Sequence, residues 1–165
     1  MSIRIRSANP EDCVQIHRFI SDLAAYEKAL DKVECTAQSL RESLFEDVPS
    51  AYALIVEGQG QAIGYAIYFF NYSTWLAARG LYLEDLYIDP AYRGNGAGLA
   101  VMRHLAETAV RLGCKRFEWS VLDWNTPSIA FYESLGAQSQ EEWLGYRLEG
   151  TALSQLANTS DSSNP

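Results

Sequence analysis

Apolar and polar positions follow regular periods along most of the chain, and these periods predict its elements. Alternation of apolar and polar residues, or a short run rich in β-branched and aromatic residues, predicts a strand, whereas apolar residues spaced three and four apart predict a helix. The predicted strands cover residues 3–6, 51–56, 62–72, 81–88, 116–122, 137–140 and 146–149. The predicted helices cover residues 13–26, 37–48, 99–112 and 126–135.

The order of these elements predicts an α/β domain of the α+β type. Glycines between residues 56 and 62 predict a hairpin, so the sheet is expected to be mostly antiparallel, and only the strand–helix–strand unit over 81–122 requires a parallel crossover. The expected architecture is one mixed sheet of about seven strands flanked by about four helices. We expect this domain to cover residues 1–153 and the polar stretch 154–165 to be a disordered tail.

Charge and composition narrow the classes of partner. The net charge is −8, which disfavours nucleic acid as a ligand and suits a small cationic molecule. No apolar run is long enough to cross a membrane and the N-terminus has no signal-peptide pattern, so we expect a cytoplasmic protein. Three scattered cysteines form no metal-ligand spacing, so no metal is expected.

A glycine-rich corner, Arg93-Gly94-Asn95-Gly96-Ala97-Gly98, lies between a predicted strand and a predicted helix. Glycines at alternate positions let backbone N–H groups converge on one point, and the helix N-terminus adds its unpaired donors, so the corner is expected to hold a phosphate group. A Walker A loop is excluded because Leu99 follows Gly98 where lysine is required. A dinucleotide fingerprint fits poorly, because Pro90 separates the strand from the corner.

The remaining pattern, Arg-x-x-Gly-x-Gly, resembles the acetyl-coenzyme A pyrophosphate site of the GCN5-related N-acetyltransferases. Further motifs resemble the diamine branch of this superfamily, which contains the spermidine/spermine and thialysine N-acetyltransferases. These motifs are Leu83-Glu84-Asp85, Tyr92-Arg93-Gly94, Tyr72-Ser73-Thr74-Trp75, Val121-Leu122-Asp123-Trp124-Asn125, and Ile129-Ala130-Phe131-Tyr132 with Gly136-Ala137. The similarity extends from about Asp12 to Leu148. It implies a single domain of that family's fold, acetyl-CoA as co-substrate, direct transfer in a ternary complex and a homodimer.

The expected chemistry requires a base, because an amine with a pKa of ~10.4 must lose a proton before it attacks a thioester. Glu84 or Asp85 is placed for this role at mid-strand, and since adjacent strand residues point to opposite faces we expect only one to face the amine. We prefer Glu84. The resemblance implies that Tyr132 is the acid that protonates the leaving thiolate.

The resemblance also implies two sets of binding residues. Acetyl-CoA is expected to pair with the β-strand backbone, to occupy the glycine corner and to touch the start of the last predicted helix. The candidate residues are Leu86, Tyr87, Ile88, Arg93, Gly94, Asn95, Gly96, Ala97, Gly98, Leu99, Asn125 and Ser128. The candidate residues for the acceptor are Tyr26, Glu27, Glu84, Asp85 and, in a predicted loop, Trp75.

The expected function is therefore transfer of acetyl from acetyl-CoA to a primary amine of a small cationic molecule such as a diamine, a polyamine or a lysine analogue. Two alternatives use the same coenzyme site. One is a non-catalytic acyl-CoA sensor, which has no need of Tyr132, and the other is acetylation of a protein lysine or N-terminus. The motifs leave the identity of the acceptor open.

Overall fold

A five-stranded sheet forms the centre of the computed structural model, which describes residues 2–158. Its strands are β1 (Ile3–Ser7), β2 (Tyr52–Gly58), β3 (Gln61–Ser73), β4 (Ala78–Ile88) and β5 (Phe117–Trp119). They lie in the order β1-β2-β3-β4-β5. The first four are antiparallel to their neighbours and β5 is parallel to β4, which confirms the mixed, mostly antiparallel sheet.

Five α-helices accompany the sheet in the described part of the chain. They are α1 (Cys13–Tyr26), α2 (Ala37–Leu44), α3 (Ala97–Arg111), α4 (Thr126–Ser134) and α5 (Gly150–Asn158). Side chains cap the start of two of these segments: the Asn9 side chain accepts from the N–H of Glu11 ahead of α1, and the Thr36 side chain accepts from the N–H of Ser39 in α2. These bonds satisfy backbone donors that the first helical turn leaves unpaired.

The described chain comprises two units, residues 2–122 and 123–158. In the first unit, α1 and α2 pack on one face of the sheet, where Phe19 lies 6.1 Å from the Tyr65 ring and 5.5 Å from the Tyr87 ring. Helix α3 packs against β4 and β1 and buries Val101 and Leu105 completely. The second unit contains α4 and α5.

Three predictions about the fold are wrong. The described residues form five strands and five α-helices, where about seven and about four were expected. Residues 137–140 and 146–149 alternate in sequence, but a strand also requires a partner for its backbone groups, and neither stretch is paired in the structure. Residues 154–158 belong to α5, because Leu153, Leu156 and Ala157 share a helical face. The rest of the predicted tail, residues 159–165, lies outside the described residues.

A β-bulge interrupts β4 at its centre. The register pairs Tyr68 with Leu83 and then Ile67 with Asp85, so Glu84 is one extra residue of β4 between two consecutive positions of β3. In a regular strand, residues three positions apart point to opposite faces. Leu83 and Leu86 instead share a face, because they pair with Tyr68 and Ala66, which lie two positions apart on β3. The bulge occurs at the two acids that the sequence singled out as candidate bases.

Candidate active site

The pairing between β4 and β5 stops early and leaves part of β4 with an open edge. The last parallel pair is Leu83 with Trp119, and β4 continues to Ile88. The N–H of Asp89 donates to the carbonyl of Ile63 on β3, so by alternation the backbone groups of Leu86 and Ile88 point away from β3. No strand of residues 2–158 pairs with them on that side. An extended amide chain can add at such an edge.

The predicted glycine corner follows this edge. Gly94 and Gly96 have φ of 75° and 81°, a left-handed conformation that glycine adopts without strain. A Cβ built at either position meets nothing within 4 Å, so the corner opens onto free space. Gly96 is the N-cap of α3 and has no side chain to bond the first donors of that helix. These donors and the positive end of the α3 dipole fit an anion such as pyrophosphate.

Arg93, one of the candidate coenzyme-binding residues, turns its side chain back to the end of β4. Its Nε donates to the carbonyl of Ile88 at 2.8 Å. The guanidinium carbon also lies 5.5 Å from the ring centre of Tyr26 and 5.7 Å from that of Tyr87. Arg93 therefore connects the end of β4 to the last residue of α1 in this structure.

A group of acidic and phenolic side chains lies on the face of the sheet that α1 covers. The Tyr65 hydroxyl donates to Oδ2 of Asp85 at 2.9 Å. Burial raises the pKa of Asp85, and the Tyr65 hydrogen bond offsets part of this rise. Burial also raises the pKa of Glu27, which directly follows α1, and the negative charge of Asp85 adds to it. Two carboxylates that disfavour each other's charge favour an ammonium group between them.

Glu84, the preferred base, has surroundings different from those of Asp85. Its side chain is exposed, whereas that of Asp85 is half-buried. Because the bulge interrupts the alternation of β4 at Glu84, alternation alone does not fix which face each of the two acids occupies. Bulges recur next to active sites because they redirect side chains.

Two parts of the predicted acceptor site are far apart. Glu27 lies near enough to Asp85 for the charge of one to act on the other, and Tyr26 precedes Glu27 in the chain, but Trp75 lies in the turn between β3 and β4 and is 88% exposed. Along β4, the end of that turn and Asp85 are about 20 Å apart at the rise of an extended strand. The structure therefore does not bring Trp75 to the acids of its own chain.

Sequence reasoning missed Tyr65 as a site residue. Its place in a densely aromatic strand indicates core packing, and its ring is indeed fully buried, but its hydroxyl bonds the candidate acid Asp85. Burial raises the pKa of Tyr65, and the Asp85 charge adds to the rise, so Tyr65 remains a donor. Only the β3–β4 register reveals this contact.

The remaining candidates lie in the second unit. Asn125 is buried and its side-chain oxygen accepts from the N–H of Ser128, which makes it the N-cap of α4. Tyr132 lies on α4, half-buried, with its ring centre 5.3 Å from that of Phe131. Burial raises the pKa of Tyr132, so its phenol holds a proton over the whole neutral range.

Comparison with known proteins identifies the family. The model of the Acetyltransferase (GNAT) family matches residues 16–137. A thialysine N-epsilon-acetyltransferase from Mus musculus is 41% identical over 94% of this chain and 98% of its own length. A spermidine/spermine N(1)-acetyltransferase-like protein 1 from Homo sapiens is 37% identical over 93% of this chain and 24% of its own length. The chain therefore belongs to the GNAT family of acetyltransferases.

Within that family, these relatives place the chain in the branch of diamine acetyltransferase-like proteins and confirm the predicted enzyme class, an amine N-acetyltransferase. The fold agrees, since an integron cassette protein from the mobile metagenome of V. cholerae superposes with a TM-score of 0.80 at 28% identity. That match covers 96% of this chain and 99% of the other. Among residues 2–158, no helix has the length and apolar character needed to span a membrane.

Proposed function

We propose that this enzyme transfers acetyl from acetyl-CoA directly to a primary amine of a small cationic acceptor. The observation that carries the proposal is the continuity of the open β4 edge with the glycine corner. An extended pantetheine chain has amides for the edge, and its pyrophosphate suits the uncapped start of α3. We infer that Leu86 and Ile88 bond the pantetheine, and that the corner from Gly94 to Leu99 bonds the phosphates.

The acceptor is a molecule with more than one positive charge. Glu27 and Asp85 offer two carboxylates that can pair with ammonium groups, and Tyr26, the neighbour of Glu27 in sequence, is the aromatic side chain proposed to line the same site. Relatives that cover nearly the whole chain are named for acetylation of thialysine, which carries two amino groups. Diamines, polyamines and lysine analogues are therefore the first acceptors to test.

The proposed reaction forms an N–C bond and breaks the C–S bond of the thioester in a ternary complex, without an acyl-enzyme. Glu84, through a water molecule, takes the proton of the ammonium group so that the neutral amine can attack. A backbone N–H of the open β4 edge polarises the thioester carbonyl. Tyr132 gives its proton to the departing sulfur, and its raised pKa keeps that proton available at neutral pH. Asn125 and Ser128 support the coenzyme from the start of α4.

We also propose that the enzyme is a homodimer and works in the cytoplasm. The resemblance of its motifs to diamine acetyltransferases favours the dimer, and so does the exposure of apolar side chains in the second unit. Trp143 is 67% exposed and Leu144 is 77% exposed. Contiguous exposed patches of apolar side chains are typical of surfaces that bind another protein.

The decisive experiment measures thiol release from acetyl-CoA with a panel of diamines, polyamines, thialysine, lysine and peptides. We expect release with at least one small diammonium acceptor, no release with peptides, and a loss of about 10²-fold in kcat for Tyr132→Phe. Calorimetry with coenzyme A serves as the control for binding. Heat of binding without release for any amine would favour a sensor, and release with peptides alone would favour a protein acetyltransferase.

A further inference from the structure

The Arg93 side chain joins three parts of the first unit. Its Nε bonds the carbonyl of Ile88 at the open edge of β4, and its guanidinium lies over the rings of Tyr87 and Tyr26. Tyr87 is buried in the sheet and is a fixed surface, whereas Tyr26 is 41% exposed at the end of α1. Arg93 therefore holds the end of α1 against the sheet.

The position of this helix end matters for the acceptor acids. Tyr26 is the last residue of α1 and Glu27 is its C-cap, bonded through its N–H to the carbonyls of Leu23 and Ala25. The next residue, Lys28, has φ of 60°, so the chain leaves the helix at this point. Because Glu27 is bonded to the last turn of α1 and the helix ends there, a shift of that turn also moves the Glu27 carboxylate relative to Asp85.

Arg93 is also the first residue of the glycine corner. Gly94 and Gly96 give the backbone after it great freedom, and the Asn95 amide makes only long bonds to the carbonyls of Tyr92 and Arg93, at 3.4 and 3.3 Å. An anion bonded by the N–H groups of the corner removes this freedom. Ordering of the corner by a ligand then also orders the side chain of Arg93.

We propose that Arg93 is a positioning residue through which coenzyme at the glycine corner orders Tyr26 and Glu27 at the acceptor site. This inference rests on the proposed coenzyme site. A ligand that removes motion from a shared element lowers the entropic cost for a second ligand, and the coupling is reciprocal. Coenzyme A bound at the corner therefore lowers the cost of ordering Tyr26 and Glu27 when the amine binds.

Amide hydrogen exchange of the full chain with and without coenzyme A tests this inference and requires no acceptor. We expect coenzyme A to slow exchange of residues 94–99 strongly, and to slow exchange of residues 24–28 about two- to fivefold, the scale of one cation–π contact. Residues 38–44 in α2 are the internal control, because they belong neither to the glycine corner nor to the end of α1 that Arg93 contacts, and their exchange should not change.

Two variants at Tyr26 form a matched pair. Tyr26→Phe keeps the ring under the guanidinium and should retain the slowed exchange of residues 24–28. Tyr26→Leu removes the ring but remains a good helix former, and should lose that effect while residues 94–99 stay protected. Arg93→Lys keeps the charge but lacks both the planar group and Nε, and should behave like Tyr26→Leu.

Each outcome separates the two proposals. Protection of residues 94–99 without protection of 24–28 in the unsubstituted protein overturns the role of Arg93 and leaves the coenzyme site intact. Equal protection of 24–28 in Tyr26→Phe and Tyr26→Leu overturns it as well. Absence of protection at residues 94–99 contradicts the coenzyme site itself. If Arg93→Lys fails to fold, the Tyr26 pair still decides.

Discussion

Glu84 and Asp85 are neighbours in sequence, but their surroundings suit them to different tasks. Asp85 is half-buried and bonded to Tyr65, so it is fixed in place, whereas Glu84 is an exposed bulge residue that water can reach. A fixed carboxylate suits the binding of an ammonium group, and a hydrated carboxylate suits removal of a proton through water.

This difference predicts distinct kinetic effects. Glu84→Gln should lower kcat by about 10²-fold or more with little change in the KM for the amine, because it removes a proton acceptor. Asp85→Asn should raise the KM for the amine about tenfold, equivalent to about 1.4 kcal/mol, and should change kcat less, because asparagine has no charge to pair with the ammonium group. Steady-state kinetics with the best amine of the panel measures both. A rise in KM for Glu84→Gln together with a fall in kcat for Asp85→Asn would instead assign proton removal to Asp85 and amine binding to Glu84.

The raised pKa of Asp85 also predicts how stability depends on pH. Below the pKa of about 3.9 that this residue has in the unfolded chain, the folded and unfolded forms both carry the proton. As pH rises through the raised pKa of the folded form, the buried carboxylate becomes charged and stability is lost. Asp85→Asn should therefore raise the melting temperature at pH 7, and the gain should vanish below pH 4.

Thermal melts across this pH range test the prediction. The exposed Asp31 provides the control, since Asp31→Asn removes the same charge at a site in contact with water. A shift of about 2–4 °C per kcal/mol is expected for a chain of this size. Equal effects of the two substitutions at every pH would show that the burial of Asp85 has no consequence for stability.

At the scale of elements, the glycine that begins α3 can be compared with the glycine that follows its end, by substituting each with alanine. Gly96 and Gly113 have similar positive φ values of 81° and 70°, and a Cβ at either meets nothing within 4 Å. Alanine at either position should therefore cost a similar amount of stability, about 1–2 kcal/mol. Only Gly96→Ala adds a methyl group where the coenzyme phosphates are proposed to lie.

Gly96→Ala should weaken coenzyme A binding by tenfold or more in calorimetry, whereas Gly113→Ala should bind as the unsubstituted protein does. Thermal melts of both variants confirm that the loss of stability is matched. If both variants bind coenzyme A equally well, the corner is not the phosphate site.

The same scale shows what the sequence can and cannot reveal. The hairpin and the strand–corner–helix order follow from local patterns and were predicted correctly. The bulge at Glu84 was not, because it depends on the register with β3 and leaves no local signal in the sequence. Tyr65 was missed for the same reason, since its hydrogen bond to Asp85 joins two neighbouring strands, β3 and β4.

At the scale of the whole molecule, residues 138–158 are exposed throughout. They include Trp143, Leu144 and the 94% exposed Tyr146, and the strands predicted there are unpaired. Alternation in residues 137–140 and 146–149 predicted strands with one buried face. The sequence alone does not show whether residues of the same chain or of a second copy would cover that face. This is why the number of strands was overestimated.

The proposed dimer gives a direct prediction. Light scattering should report twice the chain mass of 18.4 kDa, and Trp143→Ser combined with Leu144→Ser should increase the monomer fraction at micromolar concentration. Val14→Ser, at a 73% exposed position on α1, is the control for removal of an exposed apolar side chain. A chain that is monomeric before substitution would rule out the dimer.

The early end of β5 has a further consequence for handling the protein. No strand of residues 2–158 pairs with the outer edge of β4 after Leu83, and such an edge can accept a strand from another polypeptide, which makes it a starting point for aggregation. A ligand seated along the edge occupies its backbone groups. Storage with coenzyme A should therefore keep concentrated samples clear at temperatures well below the melting point, where the fold is intact and only the edge is at risk.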